Sequence, residues 1–382
     1  MSAVPRFSTI EKLLETLKPS VPVYVLQPEK FALAARQFLD GFPGNTLYAV
    51  KANPHPLVLT QLWNAGIRHF DTASLGEIEI VKNLFPDAIC HFMAPVRLPG
   101  QAKAAFADHG VTDFVVDSEH ELDKLLAETG EPKKLRIFVR LVAQLGGALL
   151  EMSSKYGIGP QEAAGLLKRV AAAGAQPCLT FHVGSQCLSP FSYAQAIEIA
   201  QRTITLSGVR IAALDIGGGF PSAYAGQDAP PYHWYFDMIK EALTTLDRPG
   251  LPVMCEPGRA LVAQGISLVT QLVMRRNDRL YINDGIYGSF DEQRFAGFDE
   301  DYPARAYALE NATAHRLTGE NRPFRTYGPT CDSMDVLPRP QMLPDGIKPG
   351  DYIVFDAMGA YTVSSRSSFN GYYPDQWAEL GD

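Results

Sequence analysis

The sequence lacks the features that mark several large classes of protein. It has only 5 cysteines in 382 residues, and no two of them form a CxxC pair. This scarcity argues against both a disulfide framework and a structural zinc site, and we expect no metal. No apolar run approaches the roughly 20 residues of a membrane helix, and the start, MSAVPRF, has no charged segment followed by an apolar core. We therefore expect a cytoplasmic protein in a reducing compartment.

Dense runs of basic residues are also missing. The 34 Lys and Arg residues are outnumbered by 42 Asp and Glu, which gives a net charge of −8. The sequence thus has no electrostatic footprint for phosphate backbones or anionic membranes, and neither is an expected partner. By contrast, the hydrophobic fraction of 46% supplies a large core. At roughly 150 residues per domain, the length predicts two to three domains.

A repeated pattern runs between about residues 46 and 256. A short β-branched or aromatic run is followed by a polar turn and an amphipathic helical stretch. The pattern predicts a barrel of eight parallel strands, (β/α)8, with strands at Leu47–Lys51, His69–Asp71, Ile89–Met93, Asp113–Val116, Leu135–Leu141, Cys178–Val183, Ala212–Ile216 and Pro252–Glu256. A doubly wound sheet is the alternative, but its glycine fingerprint is missing from the first βα turn, which reads AVKANP.

The sequence pattern changes after about residue 262. Strand-like runs such as ISLVTQLVM, DRLYIND and DYIVFDAM follow one another with few intervening helices. The early segment VPVYVLQ also predicts a strand, and we expect it to pair with this later sheet because an isolated strand leaves backbone groups unsatisfied. We predict a barrel at 28–263 and a β-rich domain, like a sandwich or a β-barrel, built from 1–27 and 264–382.

Polar residues stand where the predicted barrel strands end. Reactive groups of such barrels gather at the carboxyl ends of the strands. The candidates are Lys51, Asp71, Arg140, His182, the run Gly217–Gly219, Glu256 and Arg259. Each also has a structural interpretation, since His182 could be a core histidine and the glycine run a tight turn. Their convergence on one end of the barrel favours a functional site.

Two of these positions have a chemical reason to be reactive. Lys51 follows the apolar run LYAV, where partial desolvation would lower its pKa, as an amine needs in order to form a Schiff base. A lysine that only extends to solvent is the alternative. Glu256 and Asp215 are carboxylates in or beside apolar runs, so we expect at least one of them to have a partner.

The later part of the chain adds two candidates. In GPTCDSMD, Cys331 stands beside Asp332, and a neighbouring carboxylate disfavours the thiolate. A proton-donor role therefore suits this thiol better than metal binding. Tyr361, in AMGAYT, is either a sheet aromatic or part of the site.

A series of motifs carries a resemblance through nearly the whole chain. In order, they are YAVKANPHP, FDTASLGEIE, SSKYGI, FHVGSQC, LDIGGGFP, CEPGRALVA, INDGIYGSF, GPTCDSMD, AMGAYT and FNGYY. With these motifs the chain resembles the fold-type III pyridoxal-phosphate decarboxylases, whose barrel is like that of alanine racemase. NDGIYGSF, TCDS and FNGY are most similar to the versions in ornithine decarboxylases.

The resemblance implies pyridoxal 5'-phosphate as cofactor and a role for each matching residue. Lys51 would hold the cofactor covalently, His182 would stack on its ring, and Glu256 would hydrogen-bond the ring nitrogen. Asp71 and Arg140 are expected close by. The phosphate would be surrounded by Ser185, Gly218, Gly219, Gly258, Arg259 and Tyr361. Gln186 departs from the glycine or small residue that is common at its position.

The resemblance also implies a homodimer with shared active sites. Cys331 of the second subunit would protonate the substrate's α-carbon, and Asp332, with Tyr287 nearby, would bind its distal ammonium. A second aspartate is usual soon after YGSF, but this chain reads DEQRFAGFDEDYPARAY. Asp299 is the first candidate for it and Asp301 the next.

The implied activity is decarboxylation of a basic L-amino acid, with ornithine, which would give putrescine for polyamine synthesis, as the leading substrate. Lysine, arginine, diaminopimelate or another diamino acid are the alternatives. A racemase and a non-catalytic carrier of the cofactor are more remote. Glu256 argues against the racemase, because a racemase is not expected to place a carboxylate at the ring nitrogen. Residues 264–382 argue against the single-domain carrier.

Overall fold

The structure is a computed structural model that describes residues 4–143, 148–150, 155–246, 248–294 and 301–381. Its strands, in chain order, are β1 Arg6–Phe7, β2 Val23–Leu26, β3 Asn45–Ala49, β4 His69–Thr72, β5 Ile89–Phe92, β6 Asp113–Val116, β7 Arg136–Leu141, β8 Ala148–Leu150, β9 Gln176–Phe181, β10 Ser185–Cys187, β11 Leu214–Asp215, β12 Val253–Cys255, β13 Ile266–Arg276, β14 Arg279–Ile282, β15 Ala304–Glu310, β16 Thr313–Arg316, β17 Asn321–Tyr327, β18 Gln341–Pro344, β19 Tyr352–Phe355 and β20 Gln376–Leu380.

The helices lie mainly between the early strands. They are α1 Ile10–Leu17, α2 Pro28–Gly41, α3 Pro56–Asn64, α4 Leu75–Leu84, α5 Gln101–His109, α6 Glu119–Thr129, α7 Pro160–Ala172, α8 Phe191–Ser207, α9 Tyr232–Leu243 and α10 Arg259–Val262. Short 3₁₀ turns cover Val50–Ala52, Pro132–Lys134, Ala263–Gly265, Asp291–Arg294 and Phe369–Gly371. Among the described residues, no helix is long and apolar enough to cross a membrane.

Eight parallel strands close into a barrel in the order β3, β4, β5, β6, β7, β9, β11, β12. This confirms the predicted (β/α)8 fold. The strand ends differ slightly from the prediction. The first strand stops at Ala49, because residues 50–52 turn into a 3₁₀ helix that carries Lys51 out of the sheet.

The barrel core and its helix starts follow from the sequence pattern. Buried residues contributed by the strands or their immediate ends pack into one cluster that includes Leu47, Val115, Phe138 and Met254. Ser118 caps the start of helix α6, since its Oγ accepts a hydrogen bond from the backbone N–H of Glu121 at 3.3 Å. Core packing and capping thus agree on where the βα units begin and end.

The chain divides into two compact units. The barrel unit consists of Ala34–Pro221 and Ala229–Ala260, and the β-rich unit of Met1–Leu33, Ser222–Asp228 and Leu261–Asp382. In the β-rich unit, β2 pairs antiparallel with β13 and parallel with β20. The early strand therefore joins the later sheet, as the sequence predicts.

Candidate active site

Lys51 is presented at the carboxyl end of the barrel by the turn that follows β3. Its Nζ lies 4.0 Å from Oδ2 of Asp71, at the end of β4. Gly258 packs closely beside this turn, because a Cβ atom on it would lie 3.0 Å from the Cβ of Ala52 and 3.3 Å from that of Ala49. The amine is thus held next to a buried carboxyl group, with part of its side chain exposed.

Asp71 carries an unusual ionisation for an aspartate. Burial, with the charge of Glu256, raises its pKa to about 7, although Lys51 and Arg140 oppose the rise. The group therefore titrates near neutral pH. This behaviour is typical of acid and base groups in active sites.

Glu77, which no strand-end pattern marks in the sequence, lies close to the same charges. Burial, with the charge of Asp71, raises the pKa of Glu77 to about 7, and the Ala73 N–H and Lys51 oppose the rise. Its Oε2 accepts a hydrogen bond from the backbone N–H of Ala73 at 2.7 Å, and its own N–H donates to Ser74 at 3.2 Å. Because this is the pattern of an ordinary capping box, the sequence signal for Glu77 is that of a helix start rather than of a site.

Glu256 directly follows β12 and is buried. Burial and the charge of Asp215 raise its pKa well above the usual range, and the two side chains are hydrogen-bonded. Asp215 also accepts from Thr180 Oγ1 at 2.9 Å and from the N–H of Gly217 at 3.0 Å. The expectation of a partner for one of these acids is therefore confirmed. Among the described residues, Oε1 of Glu256 has no hydrogen-bond partner.

His182 follows β9 as a neutral imidazole. Its Nδ1 accepts a hydrogen bond from the N–H of Gly184 at 3.0 Å, so this nitrogen carries no proton. Burial, helped by the charges of Lys51 and Arg140, keeps the pKa of the ring well below its usual value. A Cβ atom on Gly218 would lie 3.1 Å from Nε2. The ring thus lies close to the glycine run.

The glycine run packs tightly against its neighbours. Gly217 and Gly219 have φ values of 67° and 101°. A Cβ atom on Gly219 would lie 2.3 Å from the carbonyl oxygen of Gly184, and the N–H of Cys187 donates to Gly219 at 2.8 Å. The run therefore lies against the segment that carries Ser185. Backbone packing alone requires these glycines, whether or not the loop binds an anion.

Gln186 occupies a left-handed backbone conformation with a φ of 54°, and its side chain is buried. This conformation explains why glycine suits the position, since only glycine adopts it without a steric cost.

Two arginines belong to the same unit. Arg140, in β7, has its guanidinium carbon 5.8 Å from the ring centroid of Tyr156. Arg259 begins α10 and is buried. Arg140 affects the pKa of Asp71, His182 and Glu256, and so supplies positive charge to the site.

The remaining candidates lie in the β-rich unit, where three motifs meet. Tyr287 OH donates to Asp332, and its ring lies 4.5 Å from that of Phe369. The N–H of Cys331 donates to Asn370 Oδ1 at 3.0 Å. INDGIYGSF, GPTCDSMD and FNGYY therefore form one cluster.

Buried Asp335 holds two of these loops in place. It accepts hydrogen bonds from the N–H groups of Ile286 and Thr330, both at 3.0 Å. The carboxylate thereby fixes the loop of Tyr287 relative to the loop of Cys331.

Asp301 and Tyr361 lie in the same unit, with other described contacts. The carbonyl oxygen of Asp301 accepts from the N–H of Ala225 at 2.9 Å, and burial raises the pKa of its carboxyl group while Arg339 opposes the rise. Tyr361 has a φ of 58°, and its carbonyl accepts from Ser365 Oγ. Asp299 lies outside the described residues.

Comparison with known proteins decides the family. Residues 28–263 match the family model described as "Pyridoxal-dependent decarboxylase, pyridoxal binding domain". The chain belongs to this family of decarboxylases. It is 35% identical over 338 residues to the lysine/ornithine decarboxylase of Selenomonas ruminantium, covering 85% of this chain and 81% of that protein. The ornithine decarboxylase of Schizosaccharomyces pombe is 32% identical over 341 residues, covering 85% and 75% of the two chains.

Solved structures agree with the family assignment of the decarboxylase. The lysine/ornithine decarboxylase of Vibrio vulnificus, complexed with cadaverine, superposes with a TM-score of 0.82 at 29% identity, covering 98% of this chain and 100% of that chain. The arginine decarboxylase of Paramecium bursaria Chlorella virus, bound to agmatine, gives 0.83 at 25% identity, covering 96% and 98%. This chain is an amino-acid decarboxylase of the lyase class, and its cofactor is pyridoxal 5'-phosphate.

The residues at the barrel end fit this cofactor. A lysine amine lies beside a buried carboxyl group, and a buried carboxyl oxygen of Glu256 has no described partner. A ring nitrogen is a group that such an oxygen can bind.

Proposed function

We propose that this decarboxylase acts on basic L-amino acids, with ornithine as the leading substrate, and that Lys51 holds the cofactor. The supporting observation is the Lys51 amine 4.0 Å from a buried aspartate, on the same barrel unit as the unsatisfied Oε1 of Glu256. The names of the relatives, lysine/ornithine and ornithine decarboxylase, favour a substrate with a cationic end.

When bound, pyridoxal phosphate supplies an electron sink for the electron pair left as carbon dioxide departs. Glu256 would bind the ring nitrogen through its buried Oε1 and hold a proton there. His182 would pack against the ring as a neutral imidazole, and Asp71 would hold the Lys51 amine. The residues proposed for the phosphate group are Ser185, Gly218, Gly219, Gly258, Arg259 and Tyr361.

We also propose that two copies of the chain share each active site. Cys331 is exposed, and Met334 beside it is 67% exposed. Phe369, Tyr372 and Tyr373 are exposed on the neighbouring FNGYY segment. Exposed apolar groups beside a proton donor are typical of a surface that a second subunit covers. In the dimer, Cys331 donates a proton to the α-carbon of the substrate.

Asp332 is proposed to bind the distal ammonium. The hydroxyl of Tyr287 holds its carboxylate in one orientation, and this hydrogen bond lowers its pKa, so the group is ionised at neutral pH. Asp299 and Asp301 remain the candidates for a second carboxylate. An ammonium group removed from water needs such a partner.

A substrate panel tests the proposal. Loaded enzyme is incubated with ornithine, lysine, arginine, diaminopimelate, leucine and methionine, and the carbon dioxide and amine are quantified. The basic substrates should exceed the neutral ones by at least about 100-fold in kcat/KM, and Asp332→Asn should remove most of this preference. Efficient turnover of leucine or methionine would refute the proposed substrate class.

Subunit mixing tests the shared site. Lys51→Ala and Cys331→Ala proteins are combined under conditions that exchange subunits. Random exchange makes about half of the dimers mixed, each with one intact site, so roughly a quarter of wild-type activity should return. If every group came from one chain, no site would be intact, and activity would stay absent despite exchange.

A further inference from the structure

A row of ionisable side chains crosses the interior of the barrel. The strand register pairs Asp71 with His91 and Asp113 with Arg136, and His91 contacts Asp113. We call these four residues the cross-barrel ladder. Its direction follows from strand alternation: the ring of Phe70 stacks with Trp63 of helix α3, so the residues on either side of Phe70 point away from the helices and into the barrel.

The ladder extends from the candidate site toward the other end of the barrel. Lys51, which contacts Asp71, has a side chain 36% exposed, and that of Arg136 is 30% exposed. Between them, the side chains of His91 and Asp113 are only 1% and 3% exposed. Arg136 and Asp113 also line a cavity of about 290 Å³ at the amino ends of β6 and β7. A line of buried ionisable side chains thus joins two solvent-accessible regions.

Hydrogen bonds fix the orientation of His91. Its Nδ1 lies 2.6 Å from Asp113 Oδ2, and Arg136 Nε donates to Oδ1 of the same carboxylate at 2.7 Å. Because a carboxylate only accepts, Nδ1 of His91 carries a hydrogen. On the other side, Nε2 lies 3.0 Å from Nδ1 of His69, and one hydrogen is shared between them. The imidazole is therefore held from both sides.

The charges along the ladder act on one another. Burial opposes ionisation of Asp113, but the hydrogen bonds and charges of His91 and Arg136 lower its pKa to about 2. At Asp71, burial and Glu256 raise the pKa, while Lys51, Arg140 and His91 oppose the rise. Cys178, which faces Arg136 and Asp113 from β9, stays a neutral thiol because burial raises its pKa to about 12.

We propose that His91 is a positioning residue for the Lys51 site, anchored by Asp113 and Arg136 and acting through Asp71. Asp71, whose Oδ2 lies 4.0 Å from the Lys51 amine, joins the ladder to the site. This inference rests on the proposed function only for the role of Lys51 as the cofactor lysine.

Histidine NMR tests the coupling without relying on catalysis. Ring signals of the full-length, cofactor-free protein are followed across pH in wild type and Asp71→Asn. Removal of the Asp71 carboxylate changes the charge beside the His91 ring, so the His91 ring signals should shift in the variant. His120, exposed on α6, is the internal control, and its signals should not move. His91 ring signals that are unchanged by Asp71→Asn would overturn the proposal.

A reciprocal experiment uses the loaded enzyme. Glutamine at position 91 can still donate to Asp113 but brings no charge, so His91→Gln should move the pH at which the cofactor's visible absorption changes upward by about half a unit. His120→Gln is the matched control and should leave this pH unchanged. In the Asp71→Asn background, His91→Gln should cause no shift. A shift that persists in this background would contradict the proposal that His91 acts through Asp71. If borohydride fixes no cofactor to Lys51 in wild type, the proposed role of Lys51 is wrong. The NMR measurement still shows whether His91 is coupled to Asp71.

Discussion

Each end of the barrel interior holds a buried aspartate, and the two have opposite ionisation. At the amino ends of the strands, two partners bind the carboxylate of Asp113 and lower its pKa to about 2 against the effect of burial. At the carboxyl ends, burial raises the pKa of Asp71 to about 7, and a second acid, Glu256, adds to the rise.

The difference shows how one residue type serves two purposes in one barrel. Asp113 is fully partnered, so its charge costs little and its contacts stabilise the fold. Asp71 and Glu256 are both buried near one another's charge at a cost in stability, and the raised pKa of Asp71 leaves a proton that exchanges near neutral pH. Both aspartates are buried, so burial does not separate the acid that stabilises the fold from the acid of the candidate site. Their hydrogen-bond partners and neighbouring charges do.

The largest effect should come from the carboxyl end. Lys51→Ala is expected to lower kcat by at least about 10³-fold, because it removes the amine that lies beside Asp71 and is proposed to hold the cofactor. Borohydride reduction followed by peptide mass spectrometry should find the cofactor on Lys51 in wild type and on no residue in the variant. Cofactor still fixed covalently to the Lys51→Ala chain would show that the lysine is wrongly assigned.

At the other end, Asp113→Asn should mainly affect stability. The change removes the charge that pairs with the part-exposed Arg136 and the buried His91, and we expect a loss of about 3–5 kcal/mol in the free energy of unfolding, measured with denaturant. Asp123→Asn is the matched control, since Asp123 pairs with Arg169 at 2.7 Å on the surface. It should cost less than about 1 kcal/mol. Equal losses of stability for the two variants would show that the buried carboxylate of Asp113 stabilises the fold no more than a surface carboxylate does.

The two ends should also respond to pH in opposite directions. Burial, helped by His91, lowers the pKa of His69 to about 4, so the unfolded chain binds more protons between pH 6.5 and 4, and stability falls as pH falls through that range. Asp71 has a raised pKa, so the folded chain binds more protons between pH 4 and 7, and its contribution to stability falls as pH rises.

Unfolding of the cofactor-free protein at several pH values checks these signs. Asp71→Asn should gain about 1–3 kcal/mol relative to wild type at pH 8, and lose this gain near pH 4. His69→Asn should gain relative to wild type only as pH falls below about 6. The same pH dependence in both variants would contradict the opposite effects on stability expected for Asp71 and His69.

The smallest expected effect concerns the backbone at position 186. Because Gln186 has a φ of 54°, glycine should be more stable there than alanine by about 1 kcal/mol, the reverse of the usual order. Comparing Gln186→Gly with Gln186→Ala by thermal unfolding measures this difference. A more stable alanine variant would mean that the backbone is not strained at this position.

The sequence predicted the barrel because eight short apolar runs alternate with helical stretches, and it predicted site residues because they stand where strands end. Lys51, Asp71 and Glu256 needed only that rule. His91, Asp113 and Arg136 lie within or at the start of strands, and their contacts depend on strand register and barrel stagger, which no local pattern specifies. Glu77 was hidden by its role in helix capping.

The boundaries of the two units could also be predicted only in part. A change of texture marks residue 262, but nothing in the composition of Ser222–Asp228 sets it apart from the barrel around it. This segment joins the β-rich unit through the backbone contact between Ala225 and Asp301. Such a contact joins distant parts of the chain and has no local sequence signature.

The position of β2 has a consequence for synthesis on the ribosome. This strand lies between β13 and β20, so one of its edges stays open until Gln376–Leu380 has been made. At about 5–20 residues per second, that wait lasts tens of seconds. During it, the segment Val23–Leu26 is an apolar strand without its final neighbour, and its free edge is open to pairing with other chains.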